Sequence, residues 1–450
     1  MPNADRYRTG DQSLVRQINL SVILHSLREN GPMSRAGLAE MTGLNKTTVS
    51  SLIRELINQG FVHELGLSAP GSGRPAVLVR LNPAAGCMIA SEIGVDFLSV
   101  VRTDFAAEVV WRHRESIGPN TSQPAVIDRL LALLRQAQLS GNRDCRVLGI
   151  ALGVPGLVDL ESGTLLFAPN LGWQNAPMRQ LLSDAFDAPV FVDNEANMGA
   201  LGEQYFGAAQ SHSEVLFVSA GVGLGGGIVR GGQLARGAAG FAGEFGHMTL
   251  DRGGDLCKCG NHGCWETYVS QAALFRYIQE NASRGMPCSL GAARGSNPSG
   301  LTLPQVAGAA RDGDLAVMEA LRRLGSDFGI GIASLVNALN PELVVIGGIL
   351  SVVGEFLLPA VQAEVRQRAL RWNAGTTEVV LARHGSDACV MGGVATVLQS
   401  VLAQPGTGPV LRGALFPTLM PARLAGQQAG ARRAGSQPNF AMASATRPGA

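Results

Sequence analysis

The stretch 244-EFGHMTLDRGGDLCKCGNHGCWET-267 carries the densest chemistry in the chain. Cys257, Cys259 and Cys264 stand at C-x-C-x4-C spacing, and Gly260 and Gly263 let the backbone fold around a centre. His247 lies upstream and can complete a tetrahedral Cys3His site for zinc. His262 is the competing fourth ligand, but its place inside the cysteine loop would strain the wrap. A centre ligated fully by protein leaves no open position, so the expected cofactor is one structural Zn2+ per chain.

Working upstream, 218-VSAGVGLGGGIVRGGQLARGAAG-240 places glycines directly after an apolar strand, Val215 to Val218. Such a run can line a cleft, although by itself it also fits a tight β-turn. Farther upstream, 169-PNLGW-173 and 191-FVDNEANMGALGE-203 set Asn170, Asn194 and Glu195 beside strand-like runs. Amides and carboxylates in a cleft suit sugars, because each hydroxyl can both donate and accept. Taken singly, each of these residues could equally be a turn or helix cap.

From about 86 to 402 the chain alternates apolar strand-like runs, Gly-rich turns and amphipathic helices, the pattern of an α/β body. After about 403, Ala, Gly, Pro, Gln, Ser and Arg dominate and acidic residues are absent, so a disordered tail is expected over 403–450. The chain has 450 residues, 46% hydrophobic and 16% charged, enough for two or three soluble domains. No short-period repeat is visible. The opening MPNADRYRTG has charges and no apolar run, and no stretch offers about 20 uninterrupted apolar residues, so neither a signal peptide nor a membrane span is expected. Seven cysteines form no evenly spaced framework, which points to metal binding in the cytoplasm rather than to disulfides.

The net charge of +1 says nothing about nucleic acid, but residues 1–80 hold nine Lys or Arg against six Asp or Glu. Residues 1–82 read as a separate module. Leu14, Ile18, Val22 and Leu27 predict one face of a helix over 12–29. Ser34 is placed to cap a second helix carrying Leu38, Ala39 and Met41, and Gly43 permits a tight turn. Asn45 can cap a third helix, with Val49, Leu52, Leu56 and Ile57 inward. Lys46, Thr47, Thr48, Ser50, Ser51 and Arg54 are left outward. Short polar side chains with one or two cations suit a helix entering the DNA major groove. Phe61-Val62 starts a strand and 70-PGSGRPAVLVRL-81 supplies a turn and a second one. The module is therefore a winged helix-turn-helix with Arg74 at the wing tip, and its DNA-binding candidates include Asn45 and Arg74.

Together these segments resemble the ROK (repressor, open reading frame, kinase) family, in particular its xylose-repressor-like transcriptional regulators, from about residue 12 to 400. The specific motifs are 73-GRPA-76, 152-LGVPGLVD-159, 168-APNLGW-173, 221-GVGLGGGI-228, 242-AGEFGH-247, the cysteine knuckle and 340-NPELVVIGG-348. The resemblance implies a two-lobed actin-like body over 83–402, of the sugar kinase and Hsp70-type ATPase kind, with a sugar held between the lobes. It also implies structural zinc on His247, Cys257, Cys259 and Cys264, and a homodimer or dimer of dimers on a near-palindromic operator. Asn170, Glu244, His247 and Glu266 match the family's sugar-contacting residues, and Asn194 and Glu195 fall in a segment that also reaches the sugar.

The chain departs from the kinase members. Their D-x-G-G-T motif is 92-EIGVD-96 here, so Val95 and Asp96 stand where Gly and Thr would face nucleotide phosphates. A carboxylate there repels phosphate, and a β-branched side chain blocks close approach of the backbone. Val222 lacks the hydroxyl of the second motif, G-T-G. Glu195 replaces the catalytic Asp of N-D-A-N and is one methylene too long for that geometry. The expectation is a sugar-responsive DNA-binding repressor of carbohydrate-metabolism genes that is not an enzyme; the alternative is an active ATP-dependent sugar kinase with an appended head.

Overall fold

The computed structural model describes residues 12–67, 76–118, 121–141, 145–291 and 300–405. Three helices open the chain, α1 (Gln12–Asn30), α2 (Arg35–Thr42) and α3 (Lys46–Asn58). Ser34 caps α2 by accepting the Gly37 N–H, and Asn45 caps α3 by accepting the Thr48 N–H. Gly43 takes the left-handed conformation between them (φ 71°). Strands β1 (Met33–Ser34), β2 (Val62–Leu67) and β3 (Val77–Leu81) form the wing sheet in the order β1-β3-β2.

The buried face of α1 differs from the periodicity reading. Leu20, Ile23, Leu24 and Leu27 are buried, whereas Leu14 is exposed and Ile18 and Val22 only half-buried. Only the C-terminal half of the helix is covered, by α2, α3 and β3 on one side and by the body's last helix on the other. On α2, Leu38 and Ala39 are buried and Met41 is exposed. On α3, Val49, Leu52 and Leu56 face inward as expected, Ile57 is half-buried, and Ile53 joins the core.

The body's first lobe contains β4 (Cys87–Ile93), β5 (Phe97–Asp104), β6 (Val109–Ser116), β7 (Val147–Val154), a small sheet of β8 (Leu157–Asp159), β9 (Thr164–Ala168) and β10 (Trp173–Ala176), and β11 (Val190–Asn194). Its helices are α4 (Gln123–Leu139), α5 (Met178–Ala185) and α6 (Glu195–Phe206). The second lobe holds β12 (Val215–Ala220), β13 (Leu224–Arg230), β14 (Gln233–Leu234), β15 (Leu343–Gly347) and β16 (Glu378–Leu381). Its helices are α7 (Gln271–Ser283), α8 (Leu303–Arg311), α9 (Leu315–Leu339), α10 (Gly354–Arg368) and α11 (Arg371–Thr376); α12 (Ala388–Ala403) then returns to the first lobe.

The two main sheets run β6-β5-β4-β7-β11 and β14-β13-β12-β15-β16. In each, three antiparallel strands meander and two parallel strands follow. The same topology thus occurs twice, the plan of an actin-like body. The interior strands β4 and β15 are buried along their whole length; β15 accordingly reads as an unbroken apolar run, whereas β4 buries Ser91 and Glu92 among its apolar residues.

Helices α6 and α12 pack closely between the sheets. A Cβ on Gly392 would lie 1.6 Å from the Met198 carbonyl, and one on Gly202 would lie 2.3 Å from the Ala388 carbonyl, so only glycine allows this approach. The segment Gly385–Ala403 is long and apolar enough to cross a membrane, but 67% of it is buried inside the protein, as in a core helix. One continuous apolar core joins Leu20, Ile23, Leu24 and Leu27 of the head to Met88, Phe105, Val394, Val397 and Leu398 of the body. Phe61 and Phe105 meet across that junction, ring centroids 5.4 Å apart.

Candidate functional site

A cavity of about 370 Å³ lies between the two lobes. The turn after β9 delivers Asn170, and the β11–α6 junction delivers Asn194 and Glu195. Two 3-10 turns, Phe245–His247 and Trp265–Thr267, supply His247 and Glu266, and Glu244 precedes the first of them. All six residues line the cavity.

Their bonding differs. Among the described residues the Asn170 amide has no hydrogen-bond partner, and its Nδ2 lies 2.8 Å from where a Cβ on Gly223 would stand. Glu266 is buried, with Oε2 accepting the Leu224 N–H at 3.3 Å. Asn194 is the N-cap of α6. Its Oδ1 accepts from the N–H groups of Ala196 (2.8 Å) and Asn197 (3.1 Å), and its Nδ2 donates to the Gly156 carbonyl (3.1 Å) and to Glu195 Oε2 (2.7 Å). The cap alternative for Asn194 is therefore realised, and its amide holds Glu195 in place.

Burial pushes the Glu195 carboxyl well above the usual carboxylate range, and Glu244 and Glu92 nearby push it the same way. Glu92, on the same wall, is raised to about 7, again chiefly by burial. Behind the cleft, Asp193 takes a two-pronged ion pair from Arg236 (2.7 and 3.1 Å), joining the first lobe to the second. Sequence reasoning missed Glu92, Asp193 and Arg236, because no motif or spacing ties them together. On the far side, Val95, Asp96 and Val222 also line the cavity. There the Arg114 guanidinium lies 3.7 Å from the Phe97 ring centroid and donates to the Ser386 carbonyl at 3.4 Å.

The knuckle forms the rim of this cleft. The ligating atoms of His247, Cys257, Cys259 and Cys264 all lie within 4.8 Å of one another, a cluster that could hold a metal ion. Cys259 Sγ and Cys264 Sγ are 3.7 Å apart, and Cys257 Sγ is 3.8 Å from His247 Nδ1. A tetrahedron with metal–sulfur bonds of about 2.3 Å has an edge of roughly 3.8 Å, so the donors fit such a centre. His262 stands outside the cluster, with Nδ1 3.3 Å from the Gly254 carbonyl. His247 turns its other nitrogen, Nε2, toward Glu244 (3.9 Å) and lines the cavity. Gly263 takes φ +64°, and a Cβ there would sit 1.6 Å from the Asp251 carbonyl, so the loop closes only with glycine. Trp265 anchors the knuckle by donating its indole N–H to the Asp327 carbonyl of α9.

In the head, Lys46, Thr47, Ser51 and Arg54 are exposed along α3, and Thr48 and Ser50 are half-buried. Among the described residues neither Lys46 nor Arg54 has an ion-pair partner, whereas Arg16 is paired with Glu55 and Arg35 with Glu64. Asn45 Oδ1 serves the cap, and the Ser50 hydroxyl donates to the Lys46 carbonyl. Arg74 and residues 406–450 lie outside the described residues.

Comparison with known proteins agrees with this geometry. Residues 88–400 match the ROK family, and residues 19–63 match the winged helix-turn-helix DNA-binding family. The chain is 35% identical to the xylose repressor of Caldicellulosiruptor bescii over 397 residues, 88% of this chain and 99% of that protein. It is similar to the crystal structure of a ROK family transcriptional regulator, a homolog of the E. coli MLC protein (TM-score 0.73, 29% identity, 86% of this chain and 97% of that one). It is also similar to a ROK family glucokinase from Streptomyces griseus in complex with glucose and AMPPNP (TM-score 0.63, 31% identity, 68% of this chain and 98% of that one). Since the match runs through both lobes and the cleft between them, the chain belongs to the ROK family.

Proposed function

We propose that the protein is a sugar-responsive transcriptional repressor, with residues 1–82 as its DNA-binding head and 83–402 as its sugar-binding body. The observation that carries the reading is the conjunction of two sites in one chain. A polar recognition helix, whose Lys46 and Arg54 have no ion-pair partner among the described residues, stands on a winged head, and a cleft lined by amides, carboxylates and one imidazole lies in a body continuous with it. The xylose repressor relative spans the same head and body.

In this reading Asn170, Glu244, His247 and Glu266 hold the hydroxyls of a monosaccharide or sugar derivative, and Asn194 positions Glu195 at the same site. Zinc bound by His247 Nδ1 and the three thiolates would carry no chemistry of its own. Its part is to fix the ring of His247, whose Nε2 then points at the sugar. Lys46, Arg54 and Arg74 contact phosphates, and Thr47, Thr48, Ser50 and Ser51 lie toward base edges, with Asn45 setting the helix start. A homodimer, or a dimer of dimers, in the cytoplasm would present two heads to a near-palindromic operator of carbohydrate-metabolism genes.

A sugar shifts such a switch only through different affinities for the two states. Closing the lobes on the sugar would move the heads off the strict spacing of half-sites and release the operator. The test is an operator titration with and without sugar, after a thermal-shift screen of mono- and disaccharides that includes D-xylose. The expected result is weaker operator binding with the sugar that stabilises the protein. A stabilising sugar that leaves operator affinity unchanged would overturn the reading.

A further inference from the structure

Helix α6 touches every part that such a switch must connect. It starts at the cleft, where Glu195 is its first residue and Asn194 its cap. In its middle, Gly199 packs on the Phe217 ring of the second lobe, where a Cβ would lie 2.5 Å from a ring carbon. Its last turn reaches two junctions.

The first junction is the hinge. The chain passes from the first lobe to the second between α6 and β12, and returns between β16 and α12. Glu203 is fully buried and bonds both passages. Its Oε2 accepts the N–H groups of Ala208 (2.8 Å), on the outward passage, and Arg383 (3.0 Å), on the return. Its Oε1 accepts the N–H of His384 at 2.8 Å. The second junction is the head. The guanidinium of Arg28, in α1, sits 4.5 Å over the Tyr205 ring, and the Tyr205 hydroxyl accepts from the Gln399 amide of α12.

A buried side chain bonded to both crossing segments makes them move together with the helix that carries it. Displacing one crossing alone would strip partners from a buried carboxylate, at the cost of an uncompensated polar group. Rotation of the lobes about the crossings therefore bears on the last turn of α6, which carries Tyr205 against Arg28 of α1.

Resting on the repressor reading above, we infer that Glu203 and Tyr205 are the positioning residues of the sugar response: Glu203 clamps both inter-lobe crossings to α6, and Tyr205 passes the motion of that helix to the head through Arg28. Neither residue lines the cleft or the recognition face of α3, so the inference separates coupling from binding.

The experiment uses the full chain, D-xylose as the sugar probe, and a duplex selected by the wild-type protein from random DNA. Glu203→Gln keeps the shape but replaces an accepting oxygen with a donor that faces N–H groups. Tyr205→Leu removes the ring under Arg28 and the partner of Gln399. For each variant, calorimetry gives D-xylose affinity, and titration gives duplex affinity with and without saturating D-xylose. The expected result is D-xylose and sugar-free duplex affinities within about threefold of wild type, but a sugar-dependent loss of duplex affinity about tenfold smaller. A wild-type response in both variants overturns the inference. So does a response lost only together with D-xylose affinity, the mark of a purely structural role. If Glu203→Gln does not fold, Tyr205→Leu, which keeps an apolar side chain in that buried cluster, decides alone. A wild-type protein that binds D-xylose and the duplex independently overturns the repressor reading itself, a pattern distinct from either variant result.

Discussion

Glu266 sits buried where the knuckle meets the cleft; its Oε2 accepts the Leu224 N–H and its Oε1 lies 3.0 Å from the Cys257 sulfur. A sugar hydroxyl bonded to such a group makes a charge-assisted contact worth roughly 1.5–3 kcal/mol. Glu266→Ala should therefore weaken sugar binding by roughly tenfold to a hundredfold and leave sugar-free operator binding intact. A variant that releases operator at the wild-type sugar concentration would remove Glu266 from the ligand set. Glu92 behaves differently. Its Oε2 is buried without a hydrogen-bond partner, and burial raises the carboxyl from 4.5 to about 7. The folded state thus holds this proton more tightly than the unfolded chain. The associated stability is fully present below pH 4.5 and is lost as pH rises through about 7. Glu92→Gln cannot lose that proton. Between pH 4.5 and pH 8 its stability relative to wild type should rise, on the order of 3 kcal/mol, in urea unfolding. A difference that stays constant across that range would show that Glu92 ionises without penalty.

Among the elements, the knuckle is the most local. Its three thiols and two turn glycines fall within eight residues, so its shape follows from backbone sterics and from the metal it is expected to hold. Protein purified without chelator should contain about one zinc per chain by elemental analysis. Cys259→Ser should lose the ion and lower the melting temperature of the body. Zinc-free wild type would end the assignment. Helix α3 makes a second element-scale prediction. Lys46 and Arg54 are exposed and without an ion-pair partner among the described residues, so each can displace a counterion from a DNA phosphate. Replacing either with Ala should weaken operator binding and reduce the slope of log affinity against log salt by about one. An unchanged slope for both would move the DNA contact off α3.

On the scale of the whole molecule, phosphoryl transfer needs both lobes to supply phosphate contacts at once, and the residues expected to depart from the kinase motifs lie on both. Val95 and Asp96 line the cleft from the first lobe and Val222 from the second, while Glu195 stands at the floor with its carboxyl raised by burial. The similarity to a glucokinase keeps the enzymatic alternative testable. With ATP and D-xylose or glucose, a coupled assay should read background. Turnover that Glu195→Ala abolishes would restore the kinase reading. The same scale explains how the head is attached. It shares a continuous core with the first lobe and α12 rather than hanging on a linker, so motion of α6 and α12 has a packed route to α1.

Local chemistry was legible in the sequence alone. Ser34 and Asn45 each meet their capped N–H three residues on, and the cysteine spacing and its glycines act within one loop, so near neighbours determine them. The apolar strand Val215–Val218 was readable for the same reason, and so was the class of the fold; Gly221, Gly223, Gly225 and Gly226 after it line the cleft, the last two inside β13 rather than in a turn. The tertiary structure decided what depends on distant partners. It selected Leu20, Ile23 and Leu24 as the buried face of α1, because α12 covers that half of the helix. It placed His247 rather than His262 among the thiols, and it engaged Asn194 as a cap. It paired Asp193 with Arg236 across 43 residues and brought Glu203 to the backbone of Arg383 across 180. Periodicity and spacing report only what a residue's neighbours in the chain require. A buried charge finds its partner through the packing of the whole body, and no local pattern records it.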